Sequence, residues 1–253
     1  MSDRGDAPSG ARDHYSYTHY ADPGVAERFD ALRFGGPIGQ YLLDTQERLL
    51  LTSLAPVKGR RMLDVGTGTG RAAMTLARAG AGVIGVDAST QMLVVARSRA
   101  AAAGLGIAFL PGDAHSLPFP DRSVDAAVCL RVIMHAPDWT RCLAELCRVS
   151  RWRVVIDFPA LRSAAALQSG ARRVAQAFGG RTEAYRVLAE RRVRQALGGY
   201  GFHVVSAHRQ FVLPIALHKA IGSIAVTRGL EGVLEGLGLL RLFGSPVTLV
   251  AER

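Results

Sequence analysis

Beyond residue 60 the chain alternates between two hydrophobic patterns. Short apolar runs at Arg61–Val65, Val83–Val86, Ile107–Leu110 and Asp125–Leu130 are bounded by Gly, Asp or Pro. Such runs predict buried strands. Between them lie segments with helical spacing: one to about Ala79, one from a Ser89 or Thr90 cap to about Ala103, and one over Asp138–Val149. Arg153–Phe158 predicts a fifth strand, Phe202–Phe211 a sixth and Pro246–Ala251 a last one. Helices are expected over about 163–178 and 183–197, the second stopped by Gly198-Gly199. Strands alternating with helices give an α/β domain with a mostly parallel sheet and helices on both faces.

The N-terminal part reads differently. Residues 1–24 are rich in Gly, Pro, Asp, Ser and Tyr and read as an arm anchored by Tyr15, Tyr17 or Tyr20. Residues 25–34 and 38–54 look helical, with Ile38, Leu42, Leu49 and Leu50 on one face. The organisation is therefore 1–54 as arm and lid helices, and 55–253 as the main domain, carrying helical insertions at about 159–200 and 213–243.

Composition adds three points. Hydrophobic residues are 49% and charged residues 21% of 253, which suits a folded domain and excludes bulk disorder. The net charge of +10 is lopsided: residues 1–140 balance 14 basic with 14 acidic residues, whereas 141–253 hold 17 basic and 7 acidic. A basic half suits phosphates, nucleic acid or anionic lipid, or is simply a solvated surface. Cys129, Cys142 and Cys147 lack the pairing of a disulfide framework or a zinc site. No secretory leader is visible, and the longest apolar stretch, Phe211 to Val226, is interrupted by His218 and Lys219. The expectation is a cytoplasmic protein without bound metal.

The chemistry centres on Leu63-Asp64-Val65-Gly66-Thr67-Gly68-Thr69-Gly70, between a strand and a helix. Glycines there let backbone N–H groups approach a polar ligand closely. Nicotinamide sites place glycines at relative positions one, three and six. Here Gly66, Gly68 and Gly70 stand at one, three and five. Asp64 just before the loop suits a cationic group and repels a pyrophosphate. Asp87 ends the second strand, where an acid accepts ribose hydroxyls. Asp113, after the third, can accept from an adenine amino group. Each residue has a plainer use: turn glycines, a helix cap for Asp87, a turn for Asp113, core for Met92. Their conjunction describes adenosine joined to a cationic amino acid, that is, S-adenosylmethionine.

With Val86-Asp87-Ala88-Ser89, Gly112-Asp113-Ala114, Leu117-Pro118-Phe119 and Asp125–Leu130, residues 61–158 resemble the class I S-adenosylmethionine-dependent methyltransferases, in particular the bacterial quinone and menaquinone C-methyltransferase group. The resemblance implies a Rossmann-like, seven-stranded, mostly parallel sheet with an antiparallel last strand. It implies cofactor contacts from Asp64, Gly66, Thr67, Gly68, Gly70, Asp87, Ala88, Met92, Asp113, Ala114, Leu130 and Arg131. His135, in the segment that brings the acceptor to the cofactor, is the candidate general base, or else lines the pocket. The family's N-terminal Tyr-Asp pair is Phe29-Asp30 here.

The implied reaction is in-line methyl transfer to an O or C atom of an apolar or aromatic small molecule. Phe211, Leu213, Ile215, Leu217, Ile221, Ile224, Leu239, Leu240, Leu242 and Phe243 are expected to form the substrate wall. Arg181, Arg186, Arg191, Arg192 and Arg194, read as one helix face, suggest peripheral membrane contact through the basic C-terminal part. The protein is expected as a monomer or homodimer. The alternatives are a nucleic-acid methyltransferase and a non-catalytic cofactor-binding protein. The first lacks an Asn/Asp-Pro-Pro-aromatic motif, since Leu130-Arg131-Val132-Ile133 stands there, and lacks a Pro-Cys nucleophile.

Overall fold

The computed structural model describes Gly24, Asp30, residues 34–177 and residues 185–253. Seven strands form one sheet: β1 (Arg61–Val65), β2 (Gly82–Asp87), β3 (Ala108–Pro111), β4 (Val124–Cys129), β5 (Ser150–Phe158), β6 (His203–Phe211) and β7 (Ser245–Glu252). Their order is β3-β2-β1-β4-β5-β7-β6. β1 to β5 pair in parallel, and β7 runs antiparallel to both β5 and β6. The mostly parallel sheet with an antiparallel last strand is as expected. The last strand does not close the sheet's edge, however. It inserts between β5 and β6, and β6 is the edge.

Two layers of helices cover the sheet. α1 (Gly36–Leu54), α2 (Arg71–Arg78) and α3 (Thr90–Ala102) share one core through Leu50, Leu54, Leu76 and Leu93. α4 (Trp139–Val149) and α6 (Glu190–Gly199) share the other through Leu143, Leu146, Val193 and Leu197. The period-two alternation of strands assigns residues to layers: Val155 joins the first core, while Val154 and Ile156 join the second. Between β5 and α6 lies α5 (Ala164–Ala177). The glycine-broken segment folds as α7 (Ile215–Ile221), α8 (Ile224–Gly236) and α9 (Leu239–Phe243). It meets Ile38 and Leu42 of α1 and Phe211 of β6 in a third, small core.

One expected helix begins late. The pattern predicts a helix over 183–197, but residues 185–189 are extended and the helix starts at Glu190. Leu188 pairs with Ala160 in an isolated bridge, and its N–H donates to Pro159 O at 3.0 Å. Arg186 N–H donates to Met134 O at 2.9 Å. Tertiary hydrogen bonds override local propensity here. Arg186 therefore does not share a helix face with Arg191, Arg192 and Arg194. Residues 1–23, with the anchor tyrosines, lie outside the described residues, as do Phe29 and Arg181.

Because β1 leads through β2 to β3 on one side and β4 lies on the other, a crevice opens at the carboxyl ends of β1 and β4. Parallel α/β sheets present ligand sites at such a switch point.

Candidate active site

The glycine loop fills this crevice. Gly66 N–H and Thr67 N–H both donate to Val86 O, at 2.7 and 3.0 Å, so the loop crosses the end of β2. Gly66 has φ +68°, and a Cβ there would stand 2.2 Å from Val132 Cγ2. Only glycine satisfies both the dihedral and the space. Gly68 has φ +54°, and a Cβ there would meet nothing within 4 Å. The space a side chain would take is open, so a ligand can approach the chain closely there. Gly70 is the N-cap of α2 and does not line the cavity. A Cβ on it would lie 3.1 Å from Ala96 Cβ and from Phe109 Cζ, so Gly70 sets how closely α2 approaches its neighbours.

Asp64 holds the loop from inside. Its Oδ2 accepts from Thr67 Oγ1 at 2.7 Å and from Ala73 N–H at 3.1 Å. Burial pushes its pKa up to about 6, against the downward pull of those two hydrogen bonds. Asp87 accepts from Gly68 N–H at 2.7 Å through Oδ2 and from Ser89 N–H at 2.8 Å through Oδ1. Burial raises its pKa too. A carboxylate oxygen has more than one acceptor direction, so these bonds orient Asp87 and leave it able to accept ribose hydroxyls. Asp87 is not the cap of α3. Ser89 is, accepting from Met92 N–H at 3.2 Å. Met92 is buried and lines the cavity beside Ala88.

A residue absent from the sequence reading joins the third acid. His115 N–H donates to Asp113 Oδ1 at 2.9 Å, and His115 Nδ1 lies 2.6 Å from the same oxygen. Asp138 N–H donates to His115 Nε2 at 3.3 Å. A backbone N–H can only donate, so Nε2 accepts and Nδ1 carries the proton toward Asp113. The Asp113-x-His115 spacing is the signal that was legible. Its meaning depends on the Asp138 contact, 23 residues away. Asp138 caps α4, accepting from Thr140 and Arg141 N–H groups.

The acceptor side is the segment after β4. Arg131 adopts φ +59°, and its N–H donates to buried Asp157 Oδ1. This turn aims Val132 at Gly66. His135 is 6% exposed and lines the cavity with Leu130, Ala136 and Pro137. Arg186 braces the segment, its Nη1 donating to Ala136 O at 3.0 Å. Asp30 accepts from Thr69 Oγ1 at 3.0 Å and pairs with Arg71 at 3.2 Å and with Arg99. The Phe34 ring lies under Arg71 at 3.6 Å and Arg131 at 4.6 Å. Asp30 thereby ties the N-terminal part to the glycine loop.

Many of these groups line a cavity of about 170 Å³. It brings together Asp64, Gly66, Thr67, Gly68, Asp87, Ala88, Met92, Asp113, Ala114, Leu130, Arg131 and His135. Of the expected cofactor residues only Gly70 stands apart. The apolar residues of 211–243 are not in its lining. Its apolar wall comes instead from Leu43 and Leu50 of α1 and from Val132, Ala136 and Pro137. Among the described residues no group of three His, Cys, Asp or Glu side chains is placed to hold a metal. All three cysteines are buried free thiols, their pKa values raised by burial, to about 12 for Cys147. An open glycine cradle with carboxylates at the ends of β1 and β2 and after β3 fits an adenosine bearing a cationic amino acid. It does not fit a pyrophosphate.

Fold and site thus define a Rossmann-like protein with an adenosine-type cleft. A model of the methyltransferase domain matches residues 63–153. A malonyl-[acyl-carrier protein] O-methyltransferase of Serratia marcescens is 32% identical over 203 residues, 78% of this chain and 76% of the relative. A demethylmenaquinone methyltransferase of Deinococcus radiodurans is 43% identical over 105 residues, 40% of this chain and 44% of the relative. The chain spans about half the length of the demethylmenaquinone methyltransferases it matches. The crystal structure of magnesium protoporphyrin IX methyltransferase from Synechocystis with bound SAH superposes with a TM-score of 0.67 at 18% identity, covering 94% of this chain and 98% of that one. The chain belongs to the class I S-adenosylmethionine-dependent methyltransferases.

Proposed function

We propose that this protein methylates an O or C atom of an apolar or aromatic small molecule, a quinol, phenol or polyketide-like metabolite. The observation that carries this is one cavity lined both by the carboxylates Asp64, Asp87 and Asp113 and by the apolar Leu43, Leu50, Val132, Ala136 and Pro137. Asp87 accepts the ribose hydroxyls, Asp113 the adenine amino group, and Met92 packs on the base. S-adenosylmethionine supplies a methyl group on a positively charged sulfur. The chain's task is then alignment and exclusion of water. Leu130 and Arg131 border the reacting end. His135 takes the proton of an acceptor hydroxyl on an imidazole nitrogen. Relatives named for demethylmenaquinone support a small apolar acceptor, whereas the relative named for malonyl-[acyl-carrier protein] has an acyl group carried on a protein in its name. The same reading has the protein in the cytoplasm, as monomer or homodimer, with its basic C-terminal part touching membrane.

Calorimetric titration with S-adenosylmethionine and with NAD tests the donor. Wild type is expected to bind only the first, and Asp87→Ala to weaken that at least tenfold. Binding of NAD alone would sink the proposal. A screen of phenols and quinols for methyl acceptance tests the rest, with His135→Ala expected to lower kcat while leaving cofactor affinity in place.

A further inference from the structure

Asp113 stands on the connection between β3 and β4, its side chain 29% exposed and lining the cavity. A carboxylate in such a place ordinarily turns over a broad range about its last torsion. Here one oxygen takes two donors. His115 N–H reaches Oδ1 at 2.9 Å, and Ser116 N–H donates to Asp113 O at 3.0 Å. Those two bonds suffice to shape the backbone turn. The ring bond from His115 Nδ1 to the same Oδ1, at 2.6 Å, is short, as charge-assisted bonds are. It adds nothing to the turn. It restrains rotation of the carboxylate.

The imidazole is itself fixed. Its side chain is 12% exposed. Asp138 N–H donates to Nε2 at 3.3 Å, and Arg141 Nε donates to His115 O at 2.8 Å. Both partners belong to the start of α4, whose Leu143 and Leu146 are fully buried in the second core. A packed helix therefore holds the ring, and the ring holds the acid. Because Nε2 accepts from a backbone N–H, the ring proton sits on Nδ1 and is directed at Asp113.

We infer that His115 is a positioning residue that sets the nucleobase selectivity of the site. By locking the Asp113 carboxylate it makes the site take a 6-aminopurine and reject a 6-oxopurine. This rests on the proposed function in one respect, that Asp113 accepts from the adenine amino group. Adenine offers an N–H donor at C6, and hypoxanthine offers a carbonyl oxygen there. A fixed carboxylate meets that carbonyl acceptor to acceptor. A site built for a hydrogen bond rejects the analogue that cannot make it. A carboxylate able to turn is different. It must be ordered when adenine binds, and it can swing to the neighbouring N1–H of hypoxanthine, so it discriminates less.

Binding of S-adenosylhomocysteine and of S-inosylhomocysteine, its 6-oxo analogue, is measured by calorimetry on the full chain. Wild type is expected to prefer the first by about a hundredfold or more. His115→Leu, of similar bulk and without a donor, should narrow that ratio about tenfold, the worth of one charge-assisted hydrogen bond. His115→Phe, which keeps a ring without nitrogens, is a second donor-free variant and should give the same narrowed ratio. His115→Asn returns an N–H to Asp113 without reaching Asp138, and should bring the ratio back to within about threefold of wild type. Asp113→Ala should abolish the preference. A purely structural loss weakens both ligands alike and leaves the ratio where it was. The inference is overturned if the donor-free variants keep the wild-type ratio while Asp113→Ala loses it, and the assignment of adenine to Asp113 then stands. It is also overturned if His115→Asn restores nothing beyond His115→Leu. If Asp113→Ala keeps the wild-type ratio, or wild type shows no preference, the adenine contact of the proposed function fails and the inference falls with it.

Discussion

At the scale of single residues, the contact between Gly66 and Val132 joins the cofactor loop to the acceptor segment. Gly66→Ala is expected to lower the unfolding free energy by about 2–4 kcal/mol, from a left-handed backbone and a side-chain clash. Adding Val132→Ala should restore the clash component and leave the backbone component. Urea unfolding measures both. Asp64 gives a pH signature. Its carboxyl titrates near 3.8 when exposed and about 6 in the fold. The folded state binds this proton more tightly, so the stability it confers is complete below about pH 4 and is lost as pH rises through 6. Relative to Asp64→Asn, wild type should lose up to about 3 kcal/mol between pH 4 and 7. A flat difference would show that Asp64 is not buried as described. The residues themselves were legible in the sequence because their conjunction suits one ligand, although each glycine or acid alone has a plainer use. Which oxygen meets which donor was not. Gly70 and His115 show it: one turned out to be a packing position, and the other lies beside Asp113.

At the scale of elements, Arg186 is the informative case. Nothing in the run of arginines distinguishes it from Arg191 or Arg192. In the fold it leaves the helix and holds the carbonyls of Met134, Ala136 and Pro137 with its N–H and guanidinium groups. Arg186→Met is expected to speed amide exchange over residues 132–137 at least tenfold and leave exchange in β1 and β4 unchanged. No change at 132–137 would show that the brace carries no energy. β1, β2 and β4 were readable to within a residue, since a strand buried on both faces is an uninterrupted apolar run. The helix over 183–197 was misplaced, because its first residues satisfy their backbone groups across the chain and not along it.

For the whole molecule, the cavity makes stability depend on ligand. A ligand that binds only the folded state at one hundred times its Kd adds about 2.7 kcal/mol. Saturation of wild type with S-adenosylhomocysteine is expected to raise the urea midpoint accordingly, and that of Asp87→Ala far less. No described helix is long and apolar enough to cross a membrane.

The sequence by itself determined the strand–helix alternation, the glycine loop and the three acids, because each is a local demand of backbone geometry or charge. The tertiary structure decided what depends on distant partners. It inserted the last strand between β5 and β6, built the apolar wall from α1 and residues 132–137, and moved Arg186 into a loop. It also turned Val233 and Leu237 of α8 outward. Residues 213–243 look like ordinary core in one dimension. Only the anchoring of Glu231 by two backbone N–H groups and His218 decides which side of that helix meets the protein.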